Sequence, residues 1–552
     1  MNFTKWRRTA AVTTALAATA ALHVSLLTAP AQADNPDTLT LVGTSDVYDS
    51  NLVQTVLEPG FEKAYPQYNL QYVSRGTGAA IAYAQSGAAS AMLVHAAALE
   101  NQFVADGYSL EPYGRAIFWG DFVLLGPAAD PAGVLNGDST YDIRHAFEKV
   151  AAAGEAGTAN FVSRGGTPGT TVQEHAIWAE TTGVATCEVN AANGGGTTPS
   201  TTSGACQSPV ALPSWYKSTG LSQAPNVIAG DTCNFPGGGC YVFTDRGTFQ
   251  YLQSTGAVSN LKILTRPDTT KDPALSNLLV NSFHVYGINP AAFSADPNVK
   301  INTEAAKAFL AWITSADTQA EIGRFLAKET AGDPPFLPSA APRVTITSAP
   351  LAKVTGNKTI TIAGQLRNEV PGTPALAGAT VRLMARPASS PSVAPHQVAV
   401  TTTSATGAFS FSLTPNMSQT YSVRVDGLTQ IVNSTLNPVF GDTLQATSVD
   451  VGTTNVTGSV KITKKKVKSK KLTVKGKITP KAAGSKARVE LWAAKPGKKL
   501  KKVSSTKLKV GASTYTVTSK KLKKGTWKYQ IRYVSTGAID TGKTTTRKVK
   551  IR

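Results

Sequence analysis

Apolar and polar positions follow two different periods along the chain, and the change of period divides it into two halves. From residue 34 to about 340, short apolar runs typical of buried strands alternate with stretches of helical periodicity. The predicted strands lie at 39–42, 70–75, 122–126 and 160–162, and the predicted helices at 79–86, 140–153, 171–182 and 304–327. This alternation predicts an α/β domain with mainly parallel sheets, and a length of about 300 residues favours two lobes.

A proline-rich segment ends the helical periodicity. Residues 329–343 contain Pro334, Pro335, Pro338 and Pro342, which indicates a linker or a domain end. Beyond it, residues 343–450 show the two-residue alternation of β-strands, with turn residues between the strands. This pattern predicts an all-β sandwich.

The final stretch, 451–552, repeats that layout. Residues 472–476 correspond to 360–364, and residues 489–491 correspond to 381–383. The spacing from Phe409 to Tyr421 equals that from Tyr515 to Trp527. The repetition predicts two tandem copies of one module, which resembles the immunoglobulin-like repeats of bacterial surface proteins. That resemblance implies a fold and no activity.

The first 33 residues have the pattern of a signal peptide. A basic start with Lys5, Arg7 and Arg8 precedes an apolar run at 10–27, and Ala31-Gln32-Ala33 is a cleavage pattern. A membrane anchor is the alternative, but an Ala/Thr-rich run that ends at a cleavage pattern disfavours it. We therefore predict cleavage after Ala33 and a secreted, extracellular protein, in which the mature N-terminal domain spans 34–340.

The chain has four cysteines, Cys187, Cys206, Cys233 and Cys240. In an exported chain an even number of cysteines predicts disulfides, and three connectivities are possible. We favour Cys187–Cys206 with Cys233–Cys240, because each pair closes a short loop. Zinc binding is the alternative, and it is disfavoured because the sequence has neither a Cys-x-x-Cys spacing nor a histidine beside the cluster.

Charge is concentrated at the C-terminal end. The chain has a formal charge of +21; residues 451–552 hold 30 Lys and Arg against Glu490 and Asp540, a charge of +28, so residues 1–450 carry −7. In an exported protein such a module predicts attachment to an anionic cell-wall polymer, a phospholipid head group or a surface glycan, without specific nucleic-acid binding. A soluble sandwich that is merely coated with lysine is the alternative.

Three Gly/Ser/Thr-rich loops, at 43–50, 75–78 and 163–170, each follow a predicted strand and precede a helix. The first loop places Asp49 or Ser50 to cap a helix that starts near Asn51. Helix N-termini offer unpaired N–H groups, glycines allow close approach, and one arginine adds a forked cationic donor. Together they predict a site for a small oxyanion at Thr44, Ser45, Thr77, Gly78, Ser163, Arg164, Gly169 and Thr170. Any single loop could equally be an ordinary strand–helix turn.

These loops also carry a resemblance to a known family. Segments across 38–340 resemble the substrate-binding proteins of bacterial tungstate and molybdate transporters, in the wider phosphate-binding-like group; they are 48–50, 75–78, 93–95, 121–127, 163–165, 169–170 and 244–248. The resemblance implies a type II periplasmic-binding-protein-like domain whose lobes close on an oxyanion. It also implies an ABC permease as a partner.

The sequence departs from the family at three loop positions. Asp46 stands among the hydroxyls of the first loop, where it would repel a dianion unless the ligand gives it a proton. In the third loop Gly166 replaces an acidic residue, and Pro168 replaces a serine and so removes an N–H and a hydroxyl. The identity of the oxyanion stays open. His95 and Arg246 could each contact the anion or be structural, and for His95 we favour the structural role.

No pattern in the sequence supports an enzyme. The six histidines form neither a metal-binding nor a triad pattern, and neither a Gly-x-Ser-x-Gly elbow nor a phosphate-binding Gly-Lys-Ser/Thr loop occurs. We predict a solute-binding protein without catalytic residues, metal or cofactor. The competing hypothesis is a structural or adhesive surface protein in which the binding domain has altered or lost its ligand.

Overall fold

The computed structural model describes residues 36–268, 270–271, 277–433, 439–483 and 486–552. The predicted signal peptide, with its cleavage after Ala33, lies outside the described residues. Within them, no helix combines the length and the apolar character that a membrane crossing needs.

The N-terminal half contains both strands and helices. Its strands are β1 (Thr38–Thr44), β2 (Asn69–Arg75), β3 (Ala91–Val94), β4 (Gly114–Pro127), β5 (Ala159–Ser163), β6 (Thr186–Glu188), β7 (Thr197–Pro199), β8 (Tyr216–Ser218), β9 (Gly239–Asp245), β10 (Leu261–Thr265), β11 (Val280–Gly287) and β12 (Leu337–Pro338). Its helices are α1 (Ser45–Asp49), α2 (Glu58–Ala64), α3 (Thr77–Gln85), α4 (Ala97–Ala105), α5 (Ile143–Glu155), α6 (Gly169–Ala179), α7 (Gln223–Thr232), α8 (Arg246–Ser254), α9 (Thr303–Ile313) and α10 (Ala316–Ile322). A π-helical turn, Val53–Leu57, precedes α2.

These elements form two lobes, which confirms the predicted two-lobed α/β domain. The sheets are mixed and not mainly parallel as predicted, because β4 runs antiparallel to β9, β10 and β11, and β11 runs antiparallel to β3. Strand order β2-β1-β3-β11-β4 forms the first lobe, and β4-β9-β5-β8, with β10 against β4, forms the second. Strand β1 pairs in parallel with β2 and β3, and β5 pairs in parallel with β8 and β9. These pairs supply the strand–loop–helix units. Apolar clusters cover both faces of each sheet, because alternate residues of the buried strands point to opposite sides.

The long strand β4 belongs to both lobes. Its first half pairs with β11 up to Val280↔Asp121, and its second half pairs with β9 from Phe122↔Asp245 onward. The chain passes between the lobes a second time when it connects β10 of the second lobe to β11 of the first. The hinge between the lobes therefore passes through residues 121–122 of β4.

Two predicted helices differ in detail. The helix expected near Asn51 follows that residue, as the π-helical turn Val53–Leu57 and α2. A short additional helix, α1, precedes it from Ser45 and is separated from it by Asn51, whose positive φ of 68° does not continue a helix. The helix predicted over 304–327 is split into α9 and α10, because the Ser315 hydroxyl caps a new helix by accepting a hydrogen bond from Thr318 N.

The C-terminal half consists of strands. They are β13 (Arg343–Ser348), β14 (Lys353–Thr355), β15 (Ile360–Arg367), β16 (Thr380–Pro387), β17 (His396–Thr402), β18 (Ala408–Leu413), β19 (Gln419–Val425), β20 (Leu428–Asn433), β21 (Phe440–Leu444), β22 (Thr447–Thr457), β23 (Ser459–Lys468), β24 (Lys471–Thr479), β25 (Arg488–Ala494), β26 (Lys501–Lys507), β27 (Thr514–Thr518), β28 (Gly525–Ser535), β29 (Ile539–Lys543) and β30 (Arg547–Ile551).

The strand pairing repeats between the two parts of this half. Sheet β13-β15-β18 and sheet β23-β24-β27 have the same order, and Gly364 opposite Phe409 matches Gly476 opposite Tyr515. In the other sheet of each part, Ala385 opposite Tyr421 matches Ala493 opposite Tyr529. The counterpart of Tyr421 is therefore Tyr529, two residues beyond the expected Trp527 on the same face.

Two strands connect these parts to their neighbours. Strand β22, which contains the predicted boundary at 450/451, pairs with β19 and also, through Thr457↔Asp540, with β29. Strand β21 pairs in parallel with the start of β4, through Asp442↔Gly114 and Thr443↔Arg115. The β half thus adds a strand to the sheet of the first lobe.

Candidate functional site

The three predicted loops meet in the cleft between the lobes. Each one links the C-terminal end of a parallel strand to a helix, and such ends lie at the same edge of a sheet. The first lobe contributes the starts of α1 and α3, and the second contributes those of α6, α7 and α8. The start of α8 lies in the segment 244–248 that resembles the family, whereas no predicted site residue lies at the start of α7, although β8 also ends in a loop that opens a helix.

Arg164 lies at the centre of the cleft and is 7% exposed. Its Nη2 donates to Ser45 Oγ of the other lobe at 3.0 Å, and its Nη1 donates to Gln223 Oε1 at 2.6 Å. Its Nε lies 3.4 Å from the carbonyl oxygen of Leu221. These acceptors engage fewer N–H groups than a guanidinium carries, so donors remain for a ligand.

Gln223, the first residue of α7, holds this arginine in place. Its Oε1 also accepts a hydrogen bond from Thr170 Oγ1 at 3.1 Å. Its Nε2 donates to Thr244 Oγ1 at 2.6 Å and to Asp245 Oδ2 at 2.8 Å. Gln223 lies in no predicted loop, yet it connects Arg164, Thr170 and the end of β9 in one buried network.

Three helices that open on the cleft lack a side-chain cap of their own, unlike α5, α9 and α10 elsewhere. Asp142, Asn302 and Ser315 cap α5, α9 and α10 through their side chains. At α3, α6 and α7 the N-cap side chain makes no such bond; these residues are Gly76, Pro168 and Ser222. The first-turn N–H groups of α6 are thus left without a side-chain cap beside Arg164, which suits an anion.

The lobes contact each other directly around this point. Gly78 N donates to the carbonyl of Thr167 at 3.2 Å, and Thr248 Oγ1 lies 3.4 Å from the carbonyl of Asp46. Asp49 Oδ2 accepts a hydrogen bond from Ala224 N at 2.8 Å and so caps α7 across the cleft. Of the two caps predicted for the helix near Asn51, Asp49 instead bonds the opposite lobe, whereas Ser50 Oγ accepts a hydrogen bond from Leu52 N at 3.4 Å.

Asp46 forms a buried pair with His95. The distance from His95 Nε2 to Asp46 Oδ2 is 2.8 Å, and Asp46 Oδ1 accepts a hydrogen bond from Val47 N. Burial alone would raise the pKa of Asp46, but the neighbouring His95 lowers it to about 2, with help from Thr44 and Arg164. The departure at position 46 therefore places an ionised carboxylate beside the arginine at neutral pH.

His95 also fixes the approach of the lobes. A Cβ atom on Gly169, the first residue of α6, would overlap the His95 ring. Position 169 therefore needs a glycine for the two lobes to meet. His95 thus contacts both lobes, which its position at a strand end did not reveal.

Some predicted site residues direct their hydroxyls into the protein. Thr77 Oγ1 donates to the carbonyl of His95 at 2.7 Å, and Ser163 Oγ donates to Glu174 Oε2 at 2.8 Å. Glu174 is buried and also accepts a hydrogen bond from Tyr216; burial raises its pKa to about 7. Thr44 is buried at the end of β1. These residues shape the loops, while Ser45, Gly78, Arg164, Gly169 and Thr170 form the contact zone between the lobes.

The third loop has a backbone that explains one departure from the family. Gly165 and Gly166 both have φ values of 68°. Residues with side chains rarely adopt this conformation, so glycine is favoured at position 166. Pro168 contacts the opposite loop, since a Cβ atom on Gly76 would lie 3.0 Å from its Cα.

Arg246 is located at the hinge. Its Nε donates to Asp121 Oδ1 of β4 at 2.5 Å, and its Nη1 donates to the carbonyl of Asp333 at 3.0 Å. Arg266 joins the same group through Asp333 Oδ2 at 2.8 Å. Asp245 instead caps α8 by accepting from Thr248 N. Arg246 therefore has a structural role, because it ties the hinge strand to the second lobe through Asp121.

Both disulfides follow the favoured connectivity. Cys187 is bonded to Cys206, and Cys233 is bonded to Cys240. Cys233 ends α7 and Cys240 lies in β9, so the second disulfide fixes the helix whose first residue holds Arg164.

Comparison with known proteins finds relatives of the N-terminal half. The profile of the PBP superfamily domain matches residues 28–317. A Haloferax volcanii protein, provisionally named an ABC transporter anion-binding protein, is 33% identical over 302 residues, which cover 55% of this chain and 72% of that protein. Tungstate-binding protein TupA of Peptoclostridium acidaminophilum is 32% identical over 301 residues, covering 54% and 85%. Among solved structures, a tungstate-binding protein TupA from Desulfovibrio alaskensis G20 is 29% identical, covers 55% of this chain and 98% of its own, and has a TM-score of 0.39.

Proposed function

Since the chain belongs to the PBP superfamily, we propose that its N-terminal half is an extracellular binding protein for a tetrahedral oxyanion. The observation that carries this proposal is Arg164, buried between the lobes with Ser45 on one side and the uncapped start of α6 on the other. Such a site supplies charge and N–H groups without a reactive nucleophile. The relatives named for anion or tungstate binding support the same ligand class.

The proposed contacts divide into two groups. Ser45, Arg164, Gly169 and Thr170 would donate to the anion from hydroxyl, guanidinium and backbone groups. Thr44, Thr77 and Ser163 would hold the loops in place from behind, and Gly78 would join the lobes through its hydrogen bond to Thr167. Tungstate, molybdate, phosphate and sulfate share this tetrahedral oxyanion chemistry, and the ionised Asp46 favours a protonated ligand whose O–H can donate a hydrogen bond to it.

The test is thermal unfolding of the full chain with each of these four anions. A ligand that binds only the folded state at a hundred times its Kd stabilises that state by about 2.7 kcal/mol. We expect at least one anion to raise the Tm. The Arg164→Ala variant should lose the shift, because it removes the central cation. Arg324→Ala, an exposed arginine of the first lobe, is the matched control and should keep it.

A set of four anions that all leave the Tm unchanged would contradict the binding function. That result, together with retained attachment to cell walls, would favour the alternative of a structural or adhesive surface protein. Loss of the shift in Arg324→Ala as well as in Arg164→Ala would contradict the assignment of the cleft.

We infer further that the protein acts outside the cell and delivers its ligand to an ABC permease. The two disulfides suit an oxidising compartment. The partner permease follows from the names of the relatives and is tested by ligand uptake in cells that lack this chain. Unchanged uptake would contradict a role in transport.

For the C-terminal half we propose two immunoglobulin-like sandwiches, of which the second attaches the protein to an anionic cell wall. The repeated strand pairing supports a duplicated sandwich. The +28 charge of residues 451–552 supports the attachment. Co-sedimentation of the full chain with purified cell walls should fall as salt screens the charges. Salt-independent sedimentation, or none, would contradict it.

A further inference from the structure

The outer face of sheet β23-β24-β27 is covered by lysine. Strand β24 alternates buried residues with exposed ones, and the neighbouring strands follow its register. We call this surface the lysine face; it comprises Lys461, Lys464, Lys466, Lys468, Lys471, Lys475 and Lys477, with Thr473, Thr514, Thr516 and Thr518. All seven lysines are exposed.

Lysines face each other directly across the strands. Lys461 is opposite Lys477, Lys464 is opposite Lys475, and Lys468 is opposite Lys471. Like charges in directly opposed positions destabilise a sheet. The two acids of 451–552 lie elsewhere: Glu490 pairs with Arg488, and Asp540 lies in β29. The module therefore holds an uncompensated cationic surface at a cost to its own stability.

The first copy of the module shows that the fold does not require these lysines. Its sheet β13-β15-β18 has the same register and the same bulge, between Ile346 and Ser348 where the second copy has one between Ile462 and Lys464. The residues equivalent to Lys461, Lys464, Lys475 and Lys477 are Thr345, Ser348, Ala363 and Gln365. The corresponding face of the first copy has one opposed cationic pair, Arg343 with Arg367, where the second copy has three opposed lysine pairs.

The side chains of the lysine face indicate which class of polyanion it can bind. Its side chains are lysines and threonines, so it offers no apolar group to enter a bilayer and no aromatic ring on which a nucleobase could stack. Along a strand, side chains on one face are spaced by about 6.7 Å, and neighbouring strands are about 4.8 Å apart. This array fits an extended linear polymer with one anionic group per repeat of similar length.

We propose that the lysine face is the docking surface for a linear cell-wall polymer of phosphodiester repeats. This inference rests on the proposed attachment function and assigns it to one sheet. Lysine ammonium groups would bind successive phosphates along the strands, and the threonine hydroxyls would donate further hydrogen bonds. Counterions released from the polymer would make the affinity strongly dependent on salt.

The test titrates the full chain with purified poly(glycerol phosphate) at about physiological salt. The face variant replaces four lysines by the residues of the first copy: Lys461→Thr, Lys464→Ser, Lys475→Ala and Lys477→Gln. The matched control removes the same charge from outside the sheet, through Lys498→Thr, Lys499→Ser, Lys548→Ala and Lys550→Gln; these four lysines are also exposed.

We expect the face variant to bind roughly a hundredfold more weakly, with a smaller salt dependence, and the control to stay within a few-fold of the parent chain. The Tm of the face variant should equal or exceed that of the parent, because opposed like charges are removed. A lower Tm would indicate that the lysines are structural.

Other outcomes separate this inference from the functions on which it rests. Equal losses in the two variants would overturn the lysine face as the docking surface while leaving general attachment intact. Absence of any binding by the parent chain would contradict the attachment function itself. Tighter binding to an oligothymidylate of equal charge, or to anionic phospholipid vesicles, would overturn the choice of polymer. Oxyanion binding is measured separately by thermal unfolding.

Discussion

Asp46 determines the electrostatics of the cleft at the scale of single residues. Burial lowers the pKa of Arg164, while the nearby Asp46, Asp49 and Asp245 raise it. Burial and the charge of Asp46 raise the pKa of Asp245 to about 7. The arginine therefore shares the cleft with acids that weaken its attraction for a dianion. Replacing the ionised Asp46 tests how strongly this charge selects the ligand.

We predict that Asp46→Asn strengthens the binding of doubly charged oxyanions by about tenfold, which corresponds to about 1.4 kcal/mol. The amide keeps an acceptor for Val47 N and removes the negative charge. Calorimetric titration with tungstate, molybdate and sulfate measures the effect.

Asp317→Asn, at an exposed position of α10, removes the same charge outside the cleft and should leave the affinities unchanged. An Asp46→Asn variant that binds dianions no more tightly than the parent would show that the carboxylate does not limit them.

Strand β21 connects the two halves of the chain at the scale of elements. Its Asp442 lies 2.7 Å from His284 Nε2 of β11, and Glu100 lies 2.9 Å from His284 Nδ1. Burial alone would lower the pKa of His284, but Glu100 and Asp442 raise it to about 10. A buried ion pair between Asp442 and His284 thus accompanies the added strand. Removing the Asp442 charge would leave the charged His284 without this partner.

We predict that Asp442→Asn lowers the free energy of unfolding by about 3 kcal/mol, because a protonated His284 loses one of its two carboxylates. Hydrogen exchange should accelerate at 440–444 and at the start of β4. The pKa of His284 is raised in the folded state. The stability that its ion pairs give the fold is therefore complete below pH 6.5 and is lost as the pH rises through about 10.

The variant should show less of this alkaline loss. Asp450→Asn, at an exposed position of β22, is the control and should leave exchange and stability unchanged. Unaltered exchange of β21 in the Asp442→Asn variant would contradict a role for the ion pair in docking the strand.

At the scale of the whole molecule, the first lobe is joined to the β half, and the hinge joins the second lobe to the first lobe. Strand β21 extends the sheet of the first lobe, whereas Arg246 and Arg266 bind the hinge through Asp121 and Asp333. Motion between the lobes therefore moves the second lobe relative to both the first lobe and the β half. Closure depends on the contact between His95 and Gly169.

We predict that Gly169→Val holds the lobes apart, because its side chain would occupy the space of the His95 ring. The radius of gyration in small-angle scattering should increase, and oxyanion affinity should fall at least tenfold, or about 1.4 kcal/mol. Ala82→Val adds a similar side chain at an exposed position of α3 and should change neither. A closed Gly169→Val variant would contradict the requirement for glycine.

Local pattern was sufficient for much of the fold and for part of the site. The strand at 39–42 and the helix over 171–182 follow from apolar runs and periodicity, and they correspond to β1 and α6. The three loops were found because each stands between such elements. The roles of Gln223 and Asp49 could not be predicted, because their partners are distant in sequence. Gln223 bonds Arg164, and Asp49 bonds Ala224.

The sequence by itself determined which segments become strands and helices, which cysteines could pair, and where charge accumulates, because these depend on neighbouring residues and composition. Only the tertiary structure decided that Arg164 meets Ser45, that Asp46 pairs with His95, and that β21 joins the first lobe. Those contacts depend on how two lobes and a duplicated β half pack together. The energy of a buried charge is set by groups that packing brings within a few ångströms, and one-dimensional spacing does not encode them.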